Sequence, residues 1–279
     1  MKFTKMHGLG NDYIYINCLE ETVEHPSELA RRMSDRHFGV GGDGIVLILP
    51  WEEGNGFQMR MFNADGSEAN MCGNASRCVG KYVYDRGLTR QREIPLKTGA
   101  GVRTLQITDQ GGQAASIRVD MGEPSLEPSK IPVLWDGPDA RDVLLPLDQQ
   151  TFHATCVNTG TTHAVIFVED AESFDVHGIG SRLEVHPLFP KRANVEFVTP
   201  LDRTHVRMRV WERGTGETMA CGTGACATLV AASLRGLCER KAIIQLNGGP
   251  LTVEWDEKTN RLYQEGPAAF VFDGEYPSV

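Results

Sequence analysis

Apolar and polar residues alternate along several short segments of the chain, in the period-2 pattern of a strand with one buried face. The pattern is clearest at Phe57–Asn63 and at residues 204–212, and a glycine-rich turn follows each segment. Further predicted strands are residues 13–17, 44–49, 103–108, 116–121, 163–168, 194–198, 242–246 and 251–255. Strands are therefore expected on both sides of the midpoint of the chain.

Two helices are predicted, at residues 74–86 and 223–235. Each is opened by a glycine with a capping-type residue, and Gly87 and Gly236 are the residues expected to end them. The second helix is apolar on almost every side, which is typical of a buried helix.

The two predicted helices belong to an internal repeat. Residues 59–73, MRMFNADGSEANMCG, align without gaps on residues 208–222, MRVWERGTGETMACG, and 221 minus 72 gives an offset of 149. The same offset relates residues 86–88 to 235–237. The repeat predicts an α+β fold of two similar halves, residues 1–121 with 267–279 and residues 122–266, with the proline-rich residues 122–140 as the crossover.

Composition narrows the function classes. The chain has 279 residues, 41% of them hydrophobic, which is enough for one large core or two smaller ones. A formal net charge of -9 argues against a phosphate-binding basic face, so nucleic acid is not an expected partner. No apolar run is long enough for a membrane span, and we expect a soluble cytoplasmic protein. An odd number of cysteines, seven, favours reduced thiols over a disulfide framework.

Cys72 and Cys221 occupy equivalent places in the repeat, each just before a predicted helix and followed by glycine. A thiol at a helix N-terminus is expected to have a lowered pKa, because unpaired N–H groups and the helix dipole favour thiolate. The other five cysteines are interpreted as structural: Cys18, Cys78, Cys156, Cys226 and Cys238.

A duplicated fold can place equivalent loops opposite one another across a pseudo-twofold axis. One thiolate and one thiol on opposite faces of a carbon would invert it, because one removes a proton and the other delivers a new one. The backbone amides that follow the two cysteines could bind a substrate carboxylate at the two helix N-termini: Gly73, Asn74, Gly222 and Thr223.

Four motifs resemble those of the diaminopimelate epimerase family: HGLGNDY at 7–13, FNADGSEANMCGN at 62–74, NVEFV at 194–198 and ERGTGETMACGTGACA at 212–227. The resemblance implies two pseudo-symmetric halves, each a mixed β-barrel around a central helix, with the active site in the cleft between them. It also implies cofactor-independent conversion of L,L-diaminopimelate to the meso form in the cytoplasm, for lysine and peptidoglycan precursor synthesis, by a homodimer without metal.

By the same resemblance, Cys72 and Cys221 are the catalytic pair, and His163 and Glu212 assist the thiols. Residues expected to bind the substrate, besides the four amide positions above and Glu212, are Asn11, Asn63, Thr161, Asn194 and Arg213. The chain departs from the family pattern at Gly44, where many members have glutamine, and at Thr161, where they have asparagine.

Several alternative functions fit part of the sequence, and each makes a different prediction. A proline or hydroxyproline racemase would use the same two-cysteine chemistry, but without a clamp for a second amino-acid head group. A cysteine hydrolase with Cys221 as nucleophile and His163 as base would leave the duplicated cysteine unexplained. Taken alone, His163 would more often be structural and Asn11 could serve a turn. The glycine-rich residues 39–44 lack the Lys-Ser/Thr of a phosphate loop, and the cysteine spacings do not favour a metal site.

Overall fold

The computed structural model describes residues 1–277, which form 18 strands and four helices. The chain divides into two compact units, Met1–Asp120 with Glu265–Val279 and Met121–Gln264. Both units combine strands with helices, so the predicted α+β class is confirmed. None of the helices within residues 1–277 has the length and apolar character that crossing a bilayer requires.

The first unit contains helices α1 and α2 and a mixed sheet. Its elements are β1 (Lys2–Gly8), β2 (Asn11–Asn17), α1 (Pro26–Ser34), β3 (Gly44–Pro50), β4 (Phe57–Asn63), β5 (Glu68–Ala69), α2 (Gly73–Asp85), β6 (Glu93–Thr98), β7 (Gly101–Gln110), β8 (Gln113–Gly122) and β18 (Ala269–Glu275). Strands pair in the order β18-β1-β2-β3-β4-β6-β7-β8, and β5 pairs with β4. The β2–β3 and β4–β6 pairs are parallel, and the others are antiparallel.

The second unit repeats this arrangement. Its elements are β9 (Val143–Leu147), β10 (Gln150–Asn158), β11 (Thr162–Phe167), α3 (Val176–Glu184), β12 (Asn194–Pro200), β13 (His205–Glu212), β14 (Gly216–Glu217), α4 (Gly222–Leu234), β15 (Lys241–Leu246), β16 (Gly249–Trp255) and β17 (Leu262–Gly266). The β11–β12 and β13–β15 pairs are parallel, at the places equivalent to β2–β3 and β4–β6. The series from β1 to β8 and from β10 to β17 therefore have the same order of strands and helices. The units differ in one strand, because β9 precedes its partner β10 in the chain, whereas β18 follows its partner β1.

The alternation of side chains along β11 and β12 separates a core face from a polar face. Ala164, Ile166, Val195 and Phe197 belong to an apolar cluster that includes residues of α3. His163, Asn194 and Glu196 lie on the opposite face, where α4 contacts both strands. The same two strands thus support a core on one side and present polar groups beside α4 on the other.

Helices α2 and α4 each begin directly after a cysteine, which is the N-cap residue: Cys72 and Cys221. Two residues after the last residue of each helix lies a glycine with positive φ, 74° at Gly87 and 69° at Gly236, as expected for a left-handed C-terminal stop. Both helices therefore start and end one residue before the predicted bounds. Almost all of α4 is buried, which confirms the prediction from its apolar surface.

Candidate active site

The first candidate site surrounds Cys72 at the N-terminus of α2. The extended backbone of Cys72, with φ -141° and ψ 125°, lets its sulfur face the first helical turn, where it accepts a hydrogen bond from the Ala75 N–H at 3.5 Å. Gly73 and Asn74 form the start of the helix and are buried. Cys72 itself is only partly buried. The predicted placement of a thiol at a helix N-terminus is confirmed in this unit.

Asn11 links Cys72 to a carboxylate. Its Nδ2 donates to Asp43 Oδ2 at 2.8 Å, so its Oδ1 is turned toward Cys72 Sγ, at 3.7 Å, and Asn74 Nδ2, at 3.3 Å. Asp43 also accepts a hydrogen bond from the Asp12 N–H. Burial raises the pKa of the Asp43 carboxyl. Asp43 therefore fixes which end of the Asn11 amide meets the thiol, a role the sequence did not indicate.

Asn63 and Gly44 lie opposite one another in the β3–β4 pair. The Asn63 Nδ2 donates to Ser67 Oγ at 3.0 Å, so this side chain is held in the turn that follows β4. A Cβ atom at position 44 would lie 2.0 Å from the Phe62 carbonyl oxygen, and strand pairing holds both backbones in place. In the backbone conformation that Gly44 adopts, with φ +158°, the strands therefore approach too closely for a side chain at this position.

The second candidate site surrounds Cys221 at the N-terminus of α4. Its side chain is only 5% exposed. The thiol contacts Thr223 Oγ1 at 3.5 Å and is hydrogen-bonded to the Glu212 carboxylate. Thr218 Oγ1 also donates to Glu212. Gly222 and Thr223 begin the helix behind the thiol.

The pKa of Cys221 lies well above its ordinary value, chiefly because burial disfavours the thiolate and then because Glu212 and Glu196 add negative charge. The prediction that the helix N-terminus lowers this pKa is wrong. The dipole of one helix end is a smaller effect than removal of a thiolate from water beside two carboxylates. Burial likewise raises the pKa of Glu212.

His163 and Glu196 form a pair that is completely buried, with both side chains at 0% exposure. Nδ1 of the imidazole lies 2.6 Å from Glu196 Oε1, and Nε2 lies 2.8 Å from Thr161 Oγ1. His163 is opposite Asn194 in the parallel β11–β12 pair, which places Glu196 one strand pleat further along. The histidine is thus held from both ring nitrogens.

Asn194 connects this pair to the start of the β13–β14 turn. The Arg213 backbone N–H donates to Asn194 Oδ1 at 2.9 Å. The Asn194 Nδ2 donates to the Thr162 carbonyl at 3.0 Å and to Thr161 Oγ1 at 3.2 Å. The exposed Arg213 side chain donates to the Lys191 carbonyl at 3.2 Å. The predicted residues of this half therefore form two hydrogen-bonded groups, Thr161, His163, Asn194 and Arg213 in one and Glu212, Cys221 and Thr223 in the other, and Gly222 lies between Cys221 and Thr223 in the sequence.

Among the described residues, His163, Glu196 and Cys221 bring three ligand-type atoms within 4.8 Å of one another. Such a set could in principle hold a thiophilic cation. The 2.6 Å separation of His163 Nδ1 and Glu196 Oε1, however, is that of a direct hydrogen bond, and an ion bridging two such atoms would need them farther apart.

Three of the remaining cysteines show the same direction of pKa shift as Cys221. Burial raises the pKa of Cys18 to about 11 and that of Cys78 to about 12, and it also raises the pKa of Cys156. Cys78 and Cys156 lie within the core of their units, as expected of structural cysteines, whereas Cys18 is half-buried. A raised pKa alone therefore does not separate Cys221 from the structural thiols.

The chain matches the family model described as diaminopimelate epimerase over residues 3–127 and 155–271. It is 58% identical to a diaminopimelate epimerase of Acetivibrio thermocellus over 275 residues, covering 99% of this chain and 98% of that protein. The chain belongs to the diaminopimelate epimerase family. A diaminopimelate epimerase of Methanococcus maripaludis is 52% identical over 275 residues, with 99% of each chain covered.

Solved structures show how widely the fold of this family is used. A hydroxyproline epimerase of Agrobacterium vitis matches with a TM-score of 0.70 at 16% identity, covering 98% of this chain and 91% of that one. A phenazine biosynthesis protein of the PhzF family from Bacillus anthracis matches with the same TM-score at 16% identity, covering 100% and 99%. At this identity the likeness establishes the fold alone.

Proposed function

We propose that this member of the diaminopimelate epimerase family converts L,L-diaminopimelate to meso-diaminopimelate without a cofactor, using Cys72 and Cys221 as its acid/base pair. The main support is that the two longest helices begin at cysteines in equivalent places of a duplicated fold, in a chain 58% identical to a diaminopimelate epimerase. Two thiols at equivalent positions suit a reaction in which a proton is removed from one face of a carbon and another is added to the opposite face.

The proposed reaction is a proton exchange at the α-carbon. A thiolate removes the α-proton from one face and becomes a thiol, and the opposite thiol gives its proton to the other face and becomes a thiolate. Every proton is accounted for by the two sulfurs, and the return reaction restores the starting protonation. The carbanion-like transition state would be stabilised by the backbone N–H groups that begin α2 and α4.

Cys221 is proposed to be the protonated partner in the resting protein. Its thiol is buried beside Glu212 and Glu196, and both carboxylates oppose a second negative charge. Cys72 is more exposed than Cys221. As a thiol it donates to Asn11 Oδ1 at 3.7 Å, and after loss of this proton its sulfur can still accept from the Ala75 N–H at 3.5 Å. The thiolate that starts the reaction from L,L-diaminopimelate is therefore assigned to Cys72. For the reaction that starts from the meso form, Glu212 is the group placed to accept the proton of Cys221 first.

Substrate contacts follow from the same networks. Gly73, Asn74, Gly222 and Thr223 are proposed to bind the α-carboxylate through helix N-terminal amides. Arg213 suits a distal carboxylate because its guanidinium offers a planar fork of donors. Hydrogen bonds to the remaining ammonium and carboxylate groups are assigned to Asn11, Asn63, Thr161 and Asn194.

The finer features that the family resemblance implies are part of this proposal. They are closure of each unit as a β-barrel around its long helix, substrate binding in the cleft between the halves, a homodimer, and a cytoplasmic place in lysine and peptidoglycan precursor synthesis. Neither a metal nor an organic cofactor is assigned a role, because the two thiols supply both proton transfers.

Incubation of the purified protein with L,L-diaminopimelate in deuterium oxide tests the proposal. We expect meso product with one deuterium at the inverted α-carbon, without added cofactor and in the presence of a chelator. Recovery of unlabelled L,L-diaminopimelate after prolonged incubation with the protein would contradict the proposed function.

Proline and hydroxyproline provide the second arm of the experiment, because epimerases of these substrates share the fold. The side chain of Arg213 lies on the unit that carries Cys221, and its counterpart in the repeat is Ala64, which offers no charge. We therefore expect little or no racemisation of proline. Faster turnover of proline than of diaminopimelate would replace the proposal with a proline racemase.

A further inference from the structure

We propose that Glu196, which none of the sequence motifs identified as functional, is a positioning residue that holds His163 as the tautomer with hydrogen on Nδ1 and a lone pair on Nε2. The proposal deepens the proposed function, on which its kinetic part rests. It depends on the direction of four hydrogen bonds in one buried network, and those directions can be derived one after another.

The first direction is fixed by the backbone. The Arg213 N–H can only donate, so the atom of Asn194 that faces it at 2.9 Å must be Oδ1. The Asn194 NH2 group then points toward the Thr162 carbonyl and Thr161 Oγ1, and it donates to both. The usual ambiguity of an amide orientation is removed by this one backbone contact.

The second direction follows at His163. The Glu196 carboxylate can only accept, so the ring nitrogen that lies 2.6 Å from its Oε1, Nδ1, carries the hydrogen and donates it. A neutral imidazole then has no hydrogen at Nε2. The Thr161 hydroxyl, which accepts a hydrogen bond from Asn194, therefore donates its own hydrogen to Nε2 at 2.8 Å.

Glu196 is the group that makes this arrangement stable. A short contact between a ring N–H and a carboxylate is a strong, charge-assisted hydrogen bond, and both partners are fully buried. The arrangement places the Nε2 lone pair on the side of Thr161 and Asn194, where the proposed substrate contacts lie. A proton taken up at Nε2 would make the ring an imidazolium while Nδ1–H stays bonded to Glu196.

Two features of the structure around Glu196 concern its carboxylate. A Cβ atom at Gly224 would lie 2.7 Å from Glu196 Oε1 and 3.3 Å from Cys221 Sγ, so glycine is needed for the side chain to fit beside α4. The Oε2 atom is buried without a hydrogen-bond partner. A carboxylate kept in such a place at the cost of one unsatisfied oxygen indicates a role beyond packing.

Nitrogen-15 NMR of the wild-type protein, labelled on its histidine rings, measures the tautomer directly and needs no enzyme activity. The chain has eight histidines, so the His163 signals are assigned from the spectrum of a His163→Gln variant. We expect Nδ1 to show a directly bonded, solvent-protected hydrogen and Nε2 to show the shift of an unprotonated nitrogen. An Nε2–H tautomer in the folded wild type would overturn the proposal, whatever the enzyme does.

The kinetic test uses Glu196→Gln and Glu196→Leu. We expect kcat for diaminopimelate to fall about 10- to 100-fold in Glu196→Gln, with KM within about twofold, because substrate contacts stay and the orientation of the base is weakened. Glu196→Leu removes the acceptor and should also abolish the protected Nδ1–H signal. Asp142→Asn is the matched control, since Asp142 forms an exposed pair with His153 at 2.9 Å in the same unit, and it should leave kcat unchanged.

The outcomes separate the two proposals. A correct tautomer in a protein without epimerase activity would leave the role of Glu196 standing and reject the proposed function. Full activity of Glu196→Gln, with the tautomer lost, would show that the position of the imidazole hydrogen does not matter and would reject the role of Glu196. If Glu196→Leu fails to fold, the wild-type spectrum alone still decides the tautomer.

Discussion

The two cysteine sites share a backbone frame but differ in their chemistry. Around Cys72 the described contacts are amides: Asn11 Oδ1 faces the sulfur, and Ala75 donates to it. Around Cys221 there are two carboxylates, Glu212 and Glu196. The two helix N-termini are therefore equivalent, whereas the surroundings of Cys221 raise the pKa of its thiol.

Strand register shows where the difference arose. Tyr13 is opposite Gly44 in the parallel β2–β3 pair, as His163 is opposite Asn194 in β11–β12. Two residues further along β3, Val46 stands at the place of Glu196. The buried histidine–carboxylate pair of the second unit thus has a tyrosine and a valine as its counterparts in the first. A two-base reaction that begins with one thiolate and one thiol benefits from this asymmetry, since identical sites would not set which sulfur holds the proton.

Removal of either thiol should have the largest effect. We expect Cys72→Ala and Cys221→Ala each to lower epimerisation by about 10³-fold or more, because each removes a proton carrier that the other cannot replace. The comparison is sharpened in deuterium oxide, where Cys221→Ala should still exchange the α-proton of L,L-diaminopimelate by means of Cys72 while producing no meso product. Circular dichroism checks that the fold is kept.

Full activity in either variant would exclude the two-base mechanism. Exchange in Cys72→Ala but not in Cys221→Ala would reverse the assignment of the resting thiolate and would show that the carboxylates near Cys221 do not keep it protonated.

Arg213 is expected to be the next most sensitive residue, because the first unit has the uncharged Ala64 in its place. Arg213→Met should raise KM for diaminopimelate about 10- to 100-fold, the cost of one or two charge-assisted hydrogen bonds to a carboxylate. The control is Arg182→Met, which removes an exposed arginine paired with Asp148 in the same unit. Equal effects of the two variants would mean that Arg213 does not bind the distal carboxylate.

Many helix and strand bounds could be predicted, because the residues that indicate them lie within or next to the element itself. Gly87 and Gly236 mark the ends of α2 and α4, and the alternating residues of β4 predict its bounds without error. Helix α1 was missed because it is short and begins at Pro26, after a His25 that makes no side-chain cap. Helix α3 was missed because it contains Gly178 and Gly180, which lower helix propensity.

The candidate site was predicted less completely, because its electrostatics are not local. Residues 267–279 were assigned to the first half, but the sequence did not indicate that β18 pairs with β1. Glu196 is one polar residue in an apolar strand, and its partner lies 33 positions earlier. The lowered pKa expected for Cys221 was wrong because burial beside two carboxylates depends on tertiary packing. Alternation along NVEFV, which puts Glu196 on the face of Asn194, was the available signal.

Asp43 tests whether the first site depends on orientation rather than charge. Asp43→Asn keeps an acceptor that can face the Asn11 amide but removes the negative charge and the contact with Arg36. We expect kcat to fall only about 3- to 10-fold, less than in Glu196→Gln, because no imidazole depends on this carboxylate. The two variants are compared in one kinetic series. A larger loss in Asp43→Asn would mean that the charge at Asp43 is as important as the buried pair.

The smallest effect is on stability at alkaline pH, and it follows from the raised pKa of Cys221. The ordinary pKa of the thiol is 9.0, so above pH 9.0 the unfolded chain releases this proton while the folded chain keeps it. The unfolded state then binds fewer protons than the folded state, so the free energy of unfolding decreases as the pH rises. The full contribution of this one thiol is about 1.4 kcal/mol for each pH unit. Cys221→Ala should make the loss of stability above pH 9.0 less steep by up to this amount, measured by urea unfolding at several pH values.

Ala225→Gly is the control, because it weakens the same helix by about 1 kcal/mol at every pH without changing a titratable group. An unchanged slope in Cys221→Ala would mean that the folded protein already releases this proton near pH 9.0, and that burial beside Glu212 and Glu196 does not raise its pKa.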